Sequence, residues 1–297
     1  MRYSQLRAFH HVALNGGFSR AAEVLNQTQP SLSDQVRKLE QEFDVLLFHR
    51  DRKRVRLTGE GEALLLLTKR FFEAEENIRE QLSAARAMVS GTLRIVADSA
   101  HHVTEALGAF REAYPQVFVQ LHTGNSEQVL RALRNYDAEI GVVGSLQPAP
   151  DLDTMDLGTT PITAIAAKGV LPPDVRGLSL THLAEWPLII REQGSRTRAG
   201  LEAVARSHGV KLKPVIEVEG REAMREVVAS GAGIGFVSEA EFGNDSRLIK
   251  VPLTGVDLGM SETVVFLSMR RDVPVIRAFM KAMQNQLKRF EVKLKHT

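Results

Sequence analysis

Apolar positions change their period twice along the chain. From Leu6 to Leu39 they recur at helical spacing in three short groups: Leu6, Phe9, Val12 and Ala13, then Ala21, Ala22 and Leu25, then Leu32, Val36 and Leu39. Polar breaks divide the groups, Asn15-Gly16-Gly17 after the first and Asn26-Gln27-Thr28 after the second. Ser4 and Ser19 are placed to cap the first two helices, and Pro30 fits the first helical position of the third, where a missing amide hydrogen costs nothing. Leu64, Leu67, Phe71, Ala74, Ile78, Leu82, Ala85 and Val89 then form a near-heptad stripe, with no proline over residues 60–89 and no glycine after Gly61. That predicts one long amphipathic helix. Its seam needs a partner, most simply its own copy in a homo-oligomer, with packing onto the first domain as the alternative.

Beyond Ser90-Gly91 the period shortens. Strands are expected over residues 92–97, 117–123 and 139–144, with helices over 103–113 and 126–135 between them. This alternation implies a parallel sheet. A second set follows: strands over 162–167, 187–190, 215–219, 234–238 and 263–269, a short helical turn over 179–183, and helices over 198–208, 221–230 and 273–289. Two α/β lobes are expected, with the chain crossing between them over 160–165 and returning over 264–267, so that a cleft can close on a small molecule.

Composition narrows the class. The chain has 297 residues, 43% of them hydrophobic and 25% charged, and contains no cysteine. That excludes a disulfide framework, a thiolate nucleophile and a thiol sensor. The longest apolar run, residues 63–67, is too short to cross a bilayer, and no signal-peptide pattern opens the sequence. Charge is segregated: residues 1–58 carry ten Lys/Arg against six Asp/Glu, a balance of +4 where the whole chain is +2. The basic surface therefore sits at the N-terminus, as expected of a nucleic-acid partner.

Two stretches could serve that partner. The face of the third helix opposite Leu32 carries Pro30, Ser33, Asp34, Arg37 and Gln41, flanked by Gln29, Ser31 and Lys38, side chains able to read base edges and hold phosphates. The segment after it holds Arg50, Arg52, Lys53, Arg54 and Arg56, with Val55 and Leu57 alternating as in a hairpin. Such an arm would neutralise phosphates.

The residues Ser-x-Ala-Ala-x-x-Leu (Ser19 to Leu25), Gln-Pro-Ser-Leu-Ser-x-Gln-Val-x-x-Leu-Glu (Gln29 to Glu40), Leu-Phe-x-Arg (Leu47 to Arg50) and Leu-Thr-x-x-Gly (Leu57 to Gly61) occur in order and without gaps. The stretch resembles the N-terminal winged helix-turn-helix of LysR-type transcriptional regulators. One departure is Asp44, where that family usually has glycine; aspartate tolerates a left-handed backbone better than most residues. The resemblance implies an α/β chain: an all-α winged helix-turn-helix over 1–58, a linker and dimerisation helix over 59–89, and an effector domain over 90–297 like periplasmic binding proteins. Lobe I is expected over about 92–161 and 266–297, lobe II over about 162–265. It further implies double-stranded promoter DNA and RNA polymerase as partners, a dimer or tetramer, a cytoplasmic location and no membrane.

Ligands of open α/β sheets lie beyond the carboxyl ends of strands. That rule selects Asp98, Ser99 and His101, then Asn125 and Ser126, then Gly144 and Ser145, and in the other lobe Ser195, Arg196, Thr197 and Arg198. Helix N-termini lined with small hydroxyls suit an anion, so a small anionic or zwitterionic effector is expected. Gly124-Asn125-Ser126 and Arg191-Glu192 before Gly194-Ser195, with residues 35–40, resemble LysR-type regulators associated with 2-aminoethylphosphonate catabolism. The ammonium of that ligand would call for a carboxylate, Asp98 or Glu219. No metal or other cofactor is expected, because no carboxylate lies at ligand spacing from His101-His102 or His122. No ordered Ser/His/Asp elbow or Walker loop suggests an enzyme. The competing readings are an effector-independent DNA binder and an α/β small-molecule-binding protein or enzyme.

Overall fold

The computed structural model describes residues 1–51, 54–82 and 89–294. Contacts divide the chain into two units, Met1–Arg86 and Ala87–Thr297. Among the described residues, no helix is long and apolar enough to cross a membrane.

In the first unit, α1 (Tyr3–Leu14), α2 (Phe18–Leu25) and α3 (Gln29–Phe43) bury Phe9, Val12, Ala21, Ala22, Leu32, Val36 and Leu39 in one core. The two serine caps expected from sequence are not used. Gln5 Oε1 accepts from Arg2 N at 2.6 Å, one residue past Ser4. Helix α2 begins at Phe18, so Ser19 lies inside it, and its hydroxyl donates to Gln29 Oε1 at 3.5 Å. Thr28 caps α3, with Pro30 in the first turn. Asp44 ends α3 in the left-handed region, φ 50° and ψ 48°, the conformation that favours glycine there.

Strands β1 (Phe48–Asp51) and β2 (Arg54–Leu57) form the expected antiparallel hairpin, with Phe48 opposite Leu57 and Asp51 opposite Arg54. Arg52 and Lys53 lie outside the described residues. The hairpin is fastened to α3 by Glu40, whose buried Oε1 accepts from Leu47 N at 2.9 Å and Phe48 N at 3.4 Å. Thr58 joins it to α4 (Gly59–Leu82): its hydroxyl donates to Leu46 O at 2.7 Å and accepts from Gly61 N at 3.0 Å. A Cβ on Gly61 would stand 2.2 Å from Leu47 O, a backbone atom that cannot swing away. Those contacts are the physical content of the Leu-Thr-x-x-Gly motif.

Helix α4 packs Leu64 and Leu65 on this core, whereas Leu67, Phe71, Ala74 and Ile78 are exposed. The seam read from the sequence is thus an uncovered stripe of the chain. Ala85 lies outside the described residues, and Val89 differs from expectation: it is non-helical and packs against the core of the second unit.

The second unit is two-lobed. In lobe I, β3 (Gly91–Ala97) is flanked in parallel by β4 (Val117–Thr123) and β5 (Ile140–Gly144), joined through α5 (His101–Ala113) and α6 (Ser126–Arg134). Strand β6 (Leu152–Ala167) is far longer than the segment expected over 162–167. Its first part pairs with the late strand β13 (Gly259–Leu267), antiparallel, and β13 pairs with β5. From Ile162 onward β6 pairs with β10 (Gly235–Ser238) and β11 (Leu248–Val251), which belong to lobe II. Lobe II adds β7 (Leu178–Ser179), α7 (Leu180–Leu183), β8 (Leu188–Arg191), α8 (Arg196–Ser207), β9 (Pro214–Val218), α9 (Arg221–Ala229) and β12 (Leu253–Thr254), with β8 and β9 parallel. Helix α10 (Pro274–Leu294) returns to pack on α5 through Phe279 and Phe110, rings 5.4 Å apart. Met260 belongs to the lobe II core and Val264 to that of lobe I, so the return crossing falls between them, upstream of the expected 266.

Candidate DNA-reading face and effector cleft

On α3 the apolar stripe Leu32, Val36 and Leu39 is buried, and Gln29, Pro30, Ser31, Ser33, Arg37 and Lys38 are exposed on the other side. Burying one stripe of a short helix necessarily presents the opposite one. Asp34 sits among them and accepts from Arg37 at 2.9 Å and Lys38 at 2.6 Å. Those bonds, that from Lys38 first, hold its carboxyl below the usual range. The aspartate thus orients two cations one turn along. Arg50 and Arg54 are in the hairpin that follows.

In the second unit the lobes meet along a polar seam. Asn125 caps α6 through Oδ1, which accepts from Gln128 N at 3.1 Å, and its Nδ2 crosses to Glu192 Oε1 and Gln193 O, both at 3.1 Å. Gly194, at φ 89°, leaves room for this: a Cβ there would stand 2.9 Å from Asn125 Oδ1. Ser195 caps α8 by accepting from Arg198 N, and Thr197 donates to Met260 Sδ at 3.7 Å. Ser126 donates to Asp98 Oδ2 at 3.4 Å, which also accepts from Gly144 N at 2.8 Å. Ser99, Asn125, Ser126, Ser195 and Thr197 are all buried. Glu192 is held down to about 2: burial opposes its charge, and the Arg191 guanidinium more than offsets that.

The residues chosen from sequence do not form one site. Ser99 and His101 line a cavity of about 410 Å3, whereas Asn125, Ser126, Ser195 and Thr197 lie in the closed seam. Arg198 is committed to Glu202, Glu217 and the carbonyl of Arg191. Arg196 is half-buried and Glu219 exposed. The far wall of the cavity comes from lobe II: Arg221 and Arg225 of α9, with Glu241 and Asp245. None of these is among the residues expected from sequence. Arg221 follows the carboxyl end of β9, and the strand-end rule applied to that strand would have selected it.

Beside the cavity His102 faces Glu241 at 3.3 Å and Glu262 at 3.6 Å. Burial disfavours its charge, but the two carboxylates overcome this and push it up to about 9. Asp98 is pushed up to about 7, by burial first and then by the charge of Glu262. Arg221 is bonded to Glu241.

Comparison with known proteins follows the same division. Residues 3–62 match the bacterial regulatory helix-turn-helix protein, lysR family, and residues 86–288 match the LysR substrate binding domain. The HTH-type transcriptional activator CmpR of Synechocystis is 29% identical over 79% of this chain and 78% of its own length. Full-length OxyR from Pseudomonas aeruginosa is similar with a TM-score of 0.76 at 20% identity, covering 96% of this chain and 95% of its own. Full-length CbnR in complex with its target DNA gives 0.67 at 19% identity, over 96% and 99%. The regulatory domain of CcmR from Synechocystis in complex with 2-PG gives 0.60 at 23% identity, over 67% and 98%. With both halves matched and the winged helix-turn-helix followed by a two-lobed α/β domain, the chain belongs to the LysR family of DNA-binding transcriptional regulators.

Proposed function

We propose that the chain is an effector-responsive regulator and not an enzyme, that the exposed face of α3 reads base edges, and that the hairpin holds phosphates. The α4 stripe Leu67, Phe71, Ala74 and Ile78 joins two copies, giving a dimer or a tetramer that presents paired reading helices to a roughly palindromic promoter site. Contact with RNA polymerase and a cytoplasmic location go with that role.

The effector in this reading is a small anionic or zwitterionic metabolite held between the lobes. The observation that carries it is the cavity of about 410 Å3 with α5 of one lobe and, from the other, Arg221 and Arg225 paired with Glu241 and Asp245, beside Glu222 and Glu226, so that its walls offer both signs of charge, as a zwitterion requires. Helix N-termini and arginines converge on anions. The 2-PG bound by the CcmR regulatory domain is consistent with that class. 2-Aminoethylphosphonate is one candidate within it, resting on the short motifs at residues 35–40, around Asn125 and before Ser195. Asn125, Ser126, Ser195 and Thr197 act as the closing surface: a ligand that prefers the closed lobes shifts the assembly by its difference in affinity for the two states.

A thermal-shift screen of phosphonates, phosphorylated acids and small carboxylates tests this. At least one anion is expected to raise the melting temperature of the wild type and to change its affinity for promoter DNA. The double variant Ser195→Leu, Thr197→Leu is expected to weaken that anion at least about tenfold, the scale of lost buried polar contacts, while DNA binding without ligand is unchanged. An intact response in the variant would move the closing surface elsewhere.

A further inference from the structure

We propose that His102, Glu241 and Glu262 form a binding site for one divalent transition-metal ion that ties the two lobes together. One potential ligand atom from each residue lies within 4.8 Å of the others. The three come from different parts of the fold. His102 is in the first turn of α5 in lobe I, Glu241 ends a short 3-10 turn (Glu239–Glu241) after β10 in lobe II, and Glu262 sits on β13 where its register with β6 shifts.

The local hydrogen bonding leaves this cluster incomplete. A single imidazole nitrogen, His102 Nε2, stands between two carboxylates and is one donor at most. The Glu262 side chain is 3% exposed, and among the described residues neither of its oxygens has a hydrogen-bond partner; Glu241 Oε2 has none there either. Unsatisfied buried carboxylate oxygens are costly, and a cation at their centre would take a lone pair from each. Asp98 Oδ1 is likewise buried and unpartnered, a spare oxygen close enough for the charge of Glu262 to be felt. Glu241, Glu262 and Asp98 as carboxylates would together balance a divalent ion and the Arg221 guanidinium that is paired with Glu241. An imidazole nitrogen with carboxylate oxygens suits zinc or its first-row neighbours, whereas magnesium and calcium prefer oxygen alone. Glu241 also lines the cavity, which supplies a path of entry. The site shares no ligand with the closing surface and stands whether or not an anion binds there.

The test is calorimetric titration of the full chain, first stripped with EDTA, with zinc chloride and with magnesium chloride. One zinc per chain is expected, and no saturable magnesium binding. Glu262→Gln and His102→Gln are each expected to weaken zinc at least about 100-fold, since even partners of metal ligands are worth 10–100-fold. An X-ray absorption spectrum of the zinc-loaded wild type is expected to show one imidazole among oxygen ligands, and it decides the matter if a variant does not fold. No saturable zinc binding, wild-type affinity in both folded variants, or a spectrum with two or more imidazoles would overturn the proposal.

Discussion

Replacing Arg52, Lys53 and Arg54 together by alanine is expected to weaken binding to every duplex by the same factor, on the order of 100-fold at physiological salt. The loss is electrostatic. Each phosphate neutralised by a basic side chain releases counterions and contributes about 0.9 to the slope of log K against log salt, so three lost contacts remove up to about 2.7 from it. Phosphates carry no sequence information, so specific and random duplexes should lose affinity together. Arg54 stands opposite Asp51 in the last pair of the hairpin ladder, and Arg52 and Lys53 lie between them in sequence. Fluorescence anisotropy over a range of potassium chloride, on a selected site and on a random duplex, measures both slopes. An unchanged slope would remove the hairpin from the DNA contact.

Acidification from pH 6.5 to 4 is expected to cost the N-terminal unit up to about 3 kcal/mol at His10 alone. This histidine is buried between α1 and α4, and its Nδ1 lies 3.0 Å from Thr68 Oγ1. The Thr68 hydroxyl also lies 3.0 Å from Leu65 O, to which it can donate. Burial, with smaller contributions from His11 and Lys69, lowers the group from 6.5 to about 4. A group depressed in the folded state contributes fully above its unfolded value of 6.5 and loses that contribution as pH falls through 4. Hydrogen-exchange protection of the α1 amides across this range should fall accordingly. His10→Gln, which can still donate to Thr68 but does not titrate, should flatten the dependence. Equal slopes in the two proteins would assign the acid sensitivity to other groups.

The N-terminal unit was legible because its constraints are local. Leu32, Val36 and Leu39 mark the buried stripe of α3, which fixes the exposed one, and Asp44 does adopt the left-handed backbone that its place in the motif requires. The serine caps failed for a local reason too: Gln5 supplied the acceptor at the start of α1, and α2 begins two residues earlier than a Ser19 cap requires, with Gly17 at its cap position. The effector domain was legible as a succession of elements but less so as a site. Strand β6 was seen only from residue 162, because its earlier part alternates exposed charged and polar residues with half-buried ones and its partner β13 follows about a hundred residues later in sequence. The cluster around His102 was invisible for the same reason. His102 and Glu241 are 139 residues apart, so no spacing rule could join them, and only the folding of lobe II against lobe I brings them together.

Selection of bound duplexes from a random pool by the full-length protein tests the central claim most directly. The account predicts an inverted repeat whose half-sites are separated by a whole number of helical turns, and a changed half-site when Ser33 or Arg37 is replaced by alanine. A pool that shows no inverted repeat, or the same half-site from both variants as from the wild type, would contradict it.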